Sequence, residues 1–366
     1  YIHIDERSAG FFGLGLAKYS VNSVILISTS GTAPANYYPA VIEAYFSRIP
    51  LIILSADRPD YLVGTGANQT IYQKDLYGKY VRLYRDVGLP GENVSKLQDL
   101  LILAYNCSIG ENNNVPPGPV HLNYPFDEPF FPEKSDKPNF SNYFIDNQKK
   151  VISDKIVMPI LTPANKPLII LGPMDNNYMQ GEIIQLAEQI KAPILTDPLS
   201  QVRYGYENRL VLSNYDLFLR FIHLQPDLVI RFGRKPTSKI LCNLLDKWNN
   251  VYLIDKWQQF NDNCPQFIQA SVIEFCQWQV QKVKWQGENN WVTHLLNIEV
   301  KINEIICSER DFHEGTIARE CLDTLDEGSQ IILGNSMPVR DVDMFTITSS
   351  KKIKIYGNRG ASGIDG

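Results

Sequence analysis

The chain has 366 residues, a length that predicts two to three domains, each able to bury a core of its own. Hydrophobic residues make up 44% and charged residues 20% of the sequence, as is typical of a globular protein. The net charge of -5 and the lack of long lysine or arginine runs argue against nucleic-acid and membrane-surface binding. Small anionic ligands remain compatible with this balance, because a few local arginines can bind them.

The six cysteines are scattered and form no C-x-x-C pair, which argues against a zinc site or a redox motif and favours reduced thiols. No apolar stretch approaches the length of a membrane span, and the start does not resemble a signal peptide. We therefore expect a cytoplasmic protein, or a protein of the plastid stroma if a plastid encodes or imports it. The chain starts at Tyr1 without a methionine and stops in a glycine-rich loop, so we expect both ends to be truncated.

Short apolar runs recur along the chain, and each is followed by an amphipathic stretch of helical character. Strands that are apolar throughout and alternate with helices predict an α/β fold with mostly parallel sheets covered by helices on both faces. In chain order the predicted strands are "SVILIS" (23–28), "PLIIL" (50–54), "PVHLNY" (119–124), "PLIILG" (167–172), "PILTD" (193–197), "DLVIRFG" (227–233), "NVYLID" (250–255), "QIILGN" (330–335) and the alternating run 352–356.

Changes of amino-acid composition along the chain indicate where its domains and linker lie. The segment from about Pro129 to Lys166 is rich in proline, lysine, aspartate and asparagine, as is typical of a linker. We predict a first domain over 1–137, a linker over 138–165, a central α/β domain over 166–305 and a third domain from 312 to 366. The third has only about 55 residues, so we expect it to be incomplete.

Three arginines follow predicted strands, where ligands of open α/β sheets bind. They are Arg58, Arg340 and Arg359. Any one of them has a plain alternative role, in which it caps carbonyls or pairs with a surface carboxylate. The three together favour a ligand with more than one carboxylate, because the guanidinium group can bind a carboxylate through two hydrogen bonds.

Two other segments offer polar groups. "TSGT" (29–32) leads from a strand into a helix, whose free N–H groups would suit an anion, although a simple capping turn is the commoner case. The loop "GTGANQTIYQKDLYG" (64–78) carries Asn68 and Gln69, side chains that donate and accept hydrogen bonds. The alternative for this loop is an ordinary turn.

The segment "HIDERSAGFFGLGLAKY" (3–19) predicts a helix in which Phe12, Leu16 and Tyr19 follow helical spacing. Its glycines have the wrong spacing for a dinucleotide-binding loop and lie within the helical pattern. Glu6 falls at the helix start, where a carboxylate is favoured by the helix dipole whether or not it has a further role.

Six segments together resemble one enzyme family. They are "HIDERSA", "TSGTAPANYYPAVIEA", "SADRP", "GANQTI", "GNSMPVRDVDMF" and "NRGASGIDG". The family is that of the thiamine-diphosphate-dependent 2-succinyl-5-enolpyruvyl-6-hydroxy-3-cyclohexene-1-carboxylate synthases (MenD) of menaquinone and phylloquinone biosynthesis. The segments occur in the family's order, and the last two distinguish it from other thiamine-diphosphate enzymes. Residues 140–310 carry little of the resemblance.

The resemblance implies a three-domain architecture with a pyrimidine-binding domain first, a central domain, and the start of a diphosphate-binding domain. It also implies thiamine diphosphate and Mg²⁺ or Mn²⁺ as cofactors. In the implied reaction, 2-oxoglutarate adds to the thiazolium ylid and loses carbon dioxide, and the resulting carbanion attacks isochorismate. The implied assembly is a homodimer or homotetramer with active sites at the subunit interface.

The same resemblance implies roles for individual residues. Glu6 corresponds to the glutamate that hydrogen-bonds the aminopyrimidine ring and favours the tautomer that removes the C2 proton. Cofactor contacts are expected from Thr29, Ser30 and Gly31. The residues expected to bind the dicarboxylate substrates are Arg58, Arg340 and Arg359, their polar partners Asn68, Gln69 and Ser336, and Lys239, which lies near a basic position of the family.

Two elements of the family fall outside this sequence. A substrate-contacting loop is expected before Tyr1, and the loop that binds Mg²⁺ and diphosphate is expected after Gly366. We therefore expect no metal ligand within this chain, weak binding of thiamine diphosphate, and no activity of the chain by itself. Two alternatives remain: another thiamine-diphosphate decarboxylase or synthase with a different acceptor, and a non-catalytic remnant.

Overall fold

The computed structural model describes residues 1–90, 94–111, 115–128, 158–174, 179–257, 262, 264 and 266–363. The described chain forms two compact units. The first contains residues 1–128 together with 359–363, and the second contains residues 158–358. The predicted linker lies outside the described residues up to position 157, and the division into three domains stays a prediction.

The first unit is built around four parallel strands in the order β1-β2-β4-β3. The two central strands, β2 and β4, are largely buried along their length. The elements of this unit are α1 (Glu6–Ser20), β1 (Val24–Ser28), α2 (Ala33–Asn36), α3 (Tyr38–Ser47), β2 (Leu51–Asp57), β3 (Leu83–Asp86), α4 (Val94–Ile109) and β4 (Pro119–Pro125).

Close packing explains two of the three glycines of α1, Gly10 and Gly13. A Cβ atom at Gly10 would lie 3.0 Å from Cβ of Ala40, and one at Gly13 would lie 2.8 Å from a methyl group of Leu26. The buried face of the helix therefore contains these glycines with Leu14 and Ala17. The apolar residues Phe12 and Tyr19, which marked the helical spacing in the sequence, are exposed instead.

The sequence predicts strands that are buried on both faces, but the edge strand β1 is buried on one face only. Leu26 is buried, but Ile25 and Ile27 are exposed. The other edge strand, β3, was not predicted, because its sequence "LYRD" is short and half polar. The central strands β2 and β4 are buried along most of their length, as expected for a parallel sheet, but the apolar run of β1 lies at an edge.

The second unit contains a six-stranded parallel sheet in the order β10-β9-β8-β5-β6-β7 and a separate parallel pair, β11-β12. Its elements are β5 (Pro167–Leu171), α5 (Gln180–Ile190), β6 (Ile194–Thr196), β7 (Val211–Leu212), α6 (Tyr215–Phe218), β8 (Leu228–Phe232), α7 (Lys239–Leu245), β9 (Val251–Asp255), β10 (Gln266–Gln269), α8 (Val272–Lys282), α9 (Asn289–Ser308), α10 (Glu314–Thr324), β11 (Gln330–Leu333), α11 (Met337–Phe345) and β12 (Lys354–Gly357).

Two hydrophobic cores stabilise the second unit. The larger surrounds β5 and β8, whose residues are all buried. The smaller joins Leu322 of α10, Val339 and Val342 of α11, and Ile355 of β12. Every strand predicted from the sequence is present and parallel to its neighbours, which confirms the α/β fold with mostly parallel sheets. The short strands β7 and β10 were missed.

Within the described ranges, no helix combines the length and apolar character that a membrane crossing requires. All six cysteines are free thiols.

Candidate active site

Glu6 is the first residue of α1 and is half-buried. The residue before it, Asp5, caps the helix by accepting a hydrogen bond from the backbone N–H of Ser8 at 2.7 Å. Capping is therefore done by Asp5, and the carboxylate of Glu6 makes no hydrogen bond or ion pair within the described part of the chain. Burial raises the pKa of Tyr37, and the negative charge of Glu6 adds to the rise. The carboxylate oxygens of Glu6 are therefore not used by hydrogen bonds to the residues that the structure describes.

The turn after β1 and the loop 64–78 lie against each other. Gln69 Nε2 donates to Thr29 Oγ1 at 3.1 Å, and Ser30 Oγ donates to the carbonyl of Gln69 at 3.1 Å. Gly31 has a φ of +81°, and a Cβ atom there would lie 3.3 Å from the Gln69 carbonyl oxygen, so both conformation and space favour glycine. The structure therefore brings together Thr29, Ser30, Gly31 and Gln69, while the adjacent Asn68 is exposed.

The anion site expected at this turn is not formed in the expected way. The helix after the turn is broken into α2, of four residues, and α3. The N–H of Gly31 donates to Gln73 Oε1 at 3.1 Å in a buried hydrogen bond. That N–H is used by a side chain of the protein, so it is not presented to an anion.

A buried network of hydrogen bonds links the loop 64–78 to strands β2 and β4. Gln73 Nε2 and Ser55 Oγ both donate to Asn123 Oδ1, at 2.8 and 2.9 Å. Asn123 Nδ2 donates to Asp57 Oδ2 at 2.8 Å. The other oxygen of Asp57 accepts from the backbone N–H of Arg58 at 2.7 Å. The network therefore fixes the backbone at the end of β2, where Arg58 follows.

Arg58 and Arg359 both belong to the first unit and are half-buried. Neither guanidinium group makes a hydrogen bond or ion pair to any residue that the structure describes. The Nε atom of Arg58 is itself buried and lacks a hydrogen-bond partner in the part of the chain that the structure describes. An unpaired buried donor costs free energy unless a ligand satisfies it, so the geometry of Arg58 suits a bound carboxylate.

Ser336, Arg340 and Lys239 belong to the second unit. Ser336 directly precedes α11 and has φ 69° and ψ -119°, a conformation that strains a non-glycine residue. Arg340 is exposed on α11, and Lys239 is exposed at the first position of α7. Neither charged group has a hydrogen-bond partner among the residues described.

The helix that carries Arg340 is held by a fully buried ion pair. Arg203 Nη2 lies 2.7 Å from Asp343 Oδ1, and the hydroxyl of Tyr215 donates to the same oxygen at 3.0 Å. Arg203 also donates to the carbonyl oxygens of Thr196, Ser213 and Val342. Burial raises the pKa of Asp343, and the adjacent Arg203 opposes that rise. The pair attaches the C-terminal half of α11 to the loop that carries Arg203, between β6 and β7.

The described residues include no cluster of three histidine, cysteine, aspartate or glutamate side chains that would hold a metal ion. The expectation of Mg²⁺ or Mn²⁺ therefore stays an expectation.

Sequence reasoning missed the supporting residues of the site. The network residues His121 and Asn123 are polar positions within the apolar run "PVHLNY", and polar residues inside a buried strand signal such a network. Gln73 had no comparable signal. Glu43 lies among the buried positions of α3, where a carboxylate needs partners that the sequence does not identify.

Comparison with known proteins identifies the family. Residues 1–76 match the family model described as the thiamine pyrophosphate enzyme N-terminal TPP binding domain, where thiamine pyrophosphate is a synonym of thiamine diphosphate. Residues 134–333 match the model described as the middle domain of thiamine pyrophosphate.

Whole-chain relatives bear the name 2-succinyl-5-enolpyruvyl-6-hydroxy-3-cyclohexene-1-carboxylate synthase. Those of Bacillus cytotoxicus, Listeria welshimeri and Bacillus velezensis are 35%, 36% and 37% identical to this chain. Each alignment covers 100% of this chain and 66%, 67% and 67% of the respective relative. The chain thus spans about two thirds of the length of the curated relatives it matches. Identity at this level along the whole chain shows that it belongs to the 2-succinyl-5-enolpyruvyl-6-hydroxy-3-cyclohexene-1-carboxylate synthase family of thiamine-diphosphate enzymes.

Proposed function

We propose that the full-length protein decarboxylates 2-oxoglutarate and adds the resulting succinyl unit to isochorismate, as a carbon–carbon-bond-forming transferase of menaquinone or phylloquinone biosynthesis. The observation that carries this proposal is the 35–37% identity to synthases of that name over the whole chain. Glu6, Arg58, Arg340 and Arg359 support it, because each has a charged group without a partner among the described residues and belongs to a segment by which the sequence resembles the family.

The residues present fit thiamine diphosphate. When bound, this cofactor supplies the carbanion chemistry that decarboxylation of a 2-oxo acid requires. Glu6 would hydrogen-bond a ring nitrogen of the aminopyrimidine and favour the tautomer in which that nitrogen carries a proton, and its half-buried position would strengthen the bond. The turn formed by Thr29, Ser30 and Gly31, which Gln69 and Gln73 hold in place, offers a rigid surface to the cofactor.

The substrates are small dicarboxylates, and the arginines are suited to hold them. A guanidinium group binds a carboxylate through two parallel hydrogen bonds, which fixes both position and orientation. Arg58, Arg340 and Arg359 hold carboxylates in this proposal. Asn68, Gln69 and Ser336 contribute polar contacts, and Lys239 adds a positive charge.

The proposed enzyme requires Mg²⁺ or Mn²⁺ to bind the diphosphate group. It acts in the cytoplasm, or in the plastid stroma, as a homodimer or homotetramer with active sites at the subunit interface. Sedimentation velocity of the full-length protein tests the assembly directly.

An assay of isochorismate consumption tests the proposed reaction. The full-length protein, with thiamine diphosphate and Mg²⁺, should consume isochorismate only when 2-oxoglutarate is present. Replacing 2-oxoglutarate by pyruvate, or isochorismate by an aldehyde, should abolish turnover. Turnover with those replacements and none with isochorismate would identify a different thiamine-diphosphate enzyme, and no turnover with any pair would indicate a non-catalytic protein.

A further inference from the structure

The loop that follows β12 is held by one carboxylate. The backbone N–H groups of Gly360 and Ala361 donate to the two oxygens of Glu43, one to each oxygen, both at 2.8 Å. The hydroxyl of Ser47 donates to Oε1 of the same carboxylate at 2.6 Å. All these residues belong to the first unit, and Glu43 is only 4% exposed.

This arrangement is specific for a carboxylate at position 43. Two consecutive N–H groups match the two oxygens of a carboxylate, and hydrogen bonds to a charged acceptor are stronger than neutral ones. The site also requires glycine at position 360, because a Cβ atom there would lie 2.5 Å from Ser47 Oγ and 2.7 Å from Ser47 N. The backbone of Gly360 therefore lies so close to Ser47 of α3 that no side chain fits between them.

The held loop begins with Arg359, whose guanidinium group has no partner within the described ranges. We infer that Glu43 is a positioning residue: by fixing the two amides that follow Arg359, it holds the backbone from which this arginine reaches a substrate carboxylate. The inference rests on the proposed function, in which Arg359 binds a carboxylate. A side chain held near its binding geometry loses less conformational freedom when the ligand binds, which strengthens binding.

The second unit provides a matched control. Glu299 is also buried, on α9, and its Oε1 accepts hydrogen bonds from two consecutive backbone N–H groups, those of Ser213 at 2.7 Å and Asn214 at 3.3 Å. That loop is linked through Ser213 and Arg203 to α11, but none of its hydrogen bonds within the described part of the chain reaches residues 357–363, so it serves as a control for exchange of the Arg359 loop. Replacing Glu299 therefore removes a similar interaction without touching the segment that carries Arg359.

The test compares Glu43→Gln with Glu299→Gln in the full-length protein. Glutamine offers one acceptor oxygen and places an NH₂ group against the other amide, so one of the two backbone bonds is lost. Hydrogen–deuterium exchange of the peptide covering residues 357–363 should accelerate about tenfold or more in Glu43→Gln, since one lost charged hydrogen bond has that effect. It should remain unchanged in Glu299→Gln.

A double-mutant cycle with Arg359→Ala then separates positioning from a general loss of structure. Glu43→Gln should lower kcat/KM for the synthase reaction about tenfold alone, and less than about twofold in the Arg359→Ala background. Equal losses in the two backgrounds, or unchanged loop exchange, would overturn the inference. If the parent protein fails to consume isochorismate, the proposed function fails, and the exchange measurement still decides whether Glu43 holds the loop.

Discussion

His121 Nε2 lies 2.7 Å from Ser55 Oγ, between the two central strands of the first sheet. Because the Ser55 hydroxyl donates to Asn123 Oδ1, it can only accept from His121, which places the imidazole proton on Nε2. The other ring nitrogen, Nδ1, is buried and has no hydrogen-bond partner among the residues described. The ring is therefore held neutral, and burial lowers its pKa to about 4.

This histidine should make the protein sensitive to acid. An unfolded histidine has a pKa of about 6.5, so below that pH the unfolded chain binds a proton that folded His121 does not. The contribution of neutral His121 to the free energy of unfolding is fully present above about pH 6.5. It falls by about 1.4 kcal/mol per pH unit as the pH decreases towards about 4.

Urea unfolding of the first unit at several pH values between 7 and 4.5 measures this dependence. The variant His121→Gln should have a shallower dependence on pH than the parent. The exposed His223 serves as the control, and His223→Gln should retain the slope of the parent. Parallel pH profiles of the parent and His121→Gln would show that the pKa of His121 does not change on folding, which contradicts the account.

Glu6→Gln should leave cofactor affinity nearly intact while slowing hydrogen–deuterium exchange at C2 of bound thiamine diphosphate by about 10²- to 10⁴-fold. The amide can still form a hydrogen bond, but it stabilises the reactive ring tautomer poorly. Asp5→Asn is the matched control, because asparagine caps helices as well as aspartate does and should leave C2 exchange unchanged. Equal exchange rates in the parent and Glu6→Gln would remove Glu6 from the catalytic role.

Ser336 combines backbone strain with a hydroxyl group assigned to substrate binding. Ser336→Gly should retain or raise the free energy of unfolding, by up to about 1 kcal/mol, because glycine adopts φ 69° without strain. Ser336→Ala keeps the strain. Both changes should lower kcat/KM by about two- to tenfold, the effect of one neutral hydrogen bond. Full activity in both variants would restrict Ser336 to a structural role.

At both Arg340 and Arg359, replacement by alanine should reduce activity more than replacement by lysine, as expected of a residue that binds a carboxylate. Alanine at either position should lower kcat/KM by about ten- to a hundredfold, and lysine should lower it less, because lysine keeps the charge but not the paired hydrogen bonds. The exposed Arg85 is the control, and Arg85→Ala should have no effect. A loss that persists with an analogue lacking the contacted carboxylate, or a large fall in thermal stability, would indicate a structural ion pair.

The central features of the fold could be predicted because they depend on composition. Continuous apolar runs such as "PLIIL" (167–171) form strands buried on both faces, and such runs can be recognised in one sequence without its structure. Edge strands such as β3 and β10 bury less apolar surface, so the sequence shows no clear run for them. Phe12 and Tyr19 were misleading because Gly10 and Gly13, which have no side chain to mark a buried face, form part of the packing surface of α1.

The candidate site could be predicted only in part. Arg58, Arg340 and Arg359 could be proposed from the sequence because ligands of open α/β sheets bind at strand ends, and their roles stay predictions. The residues that support them depend on contacts between distant segments, such as Gln73 with Asn123 and Glu43 with Gly360. Such pairs follow from tertiary packing, which one sequence without its structure does not reveal.

Isotope tracing of the carbon skeleton tests the proposed reaction most directly. The full-length protein is incubated with isochorismate, thiamine diphosphate, Mg²⁺ and 2-oxoglutarate labelled with ¹³C at either C1 or C5, and the products are analysed by mass spectrometry. We expect the C1 label to leave as carbon dioxide and the C5 label to appear in a product formed from isochorismate. Recovery of the C5 label only in succinic semialdehyde, with isochorismate unchanged, would contradict the assignment of this protein as the synthase.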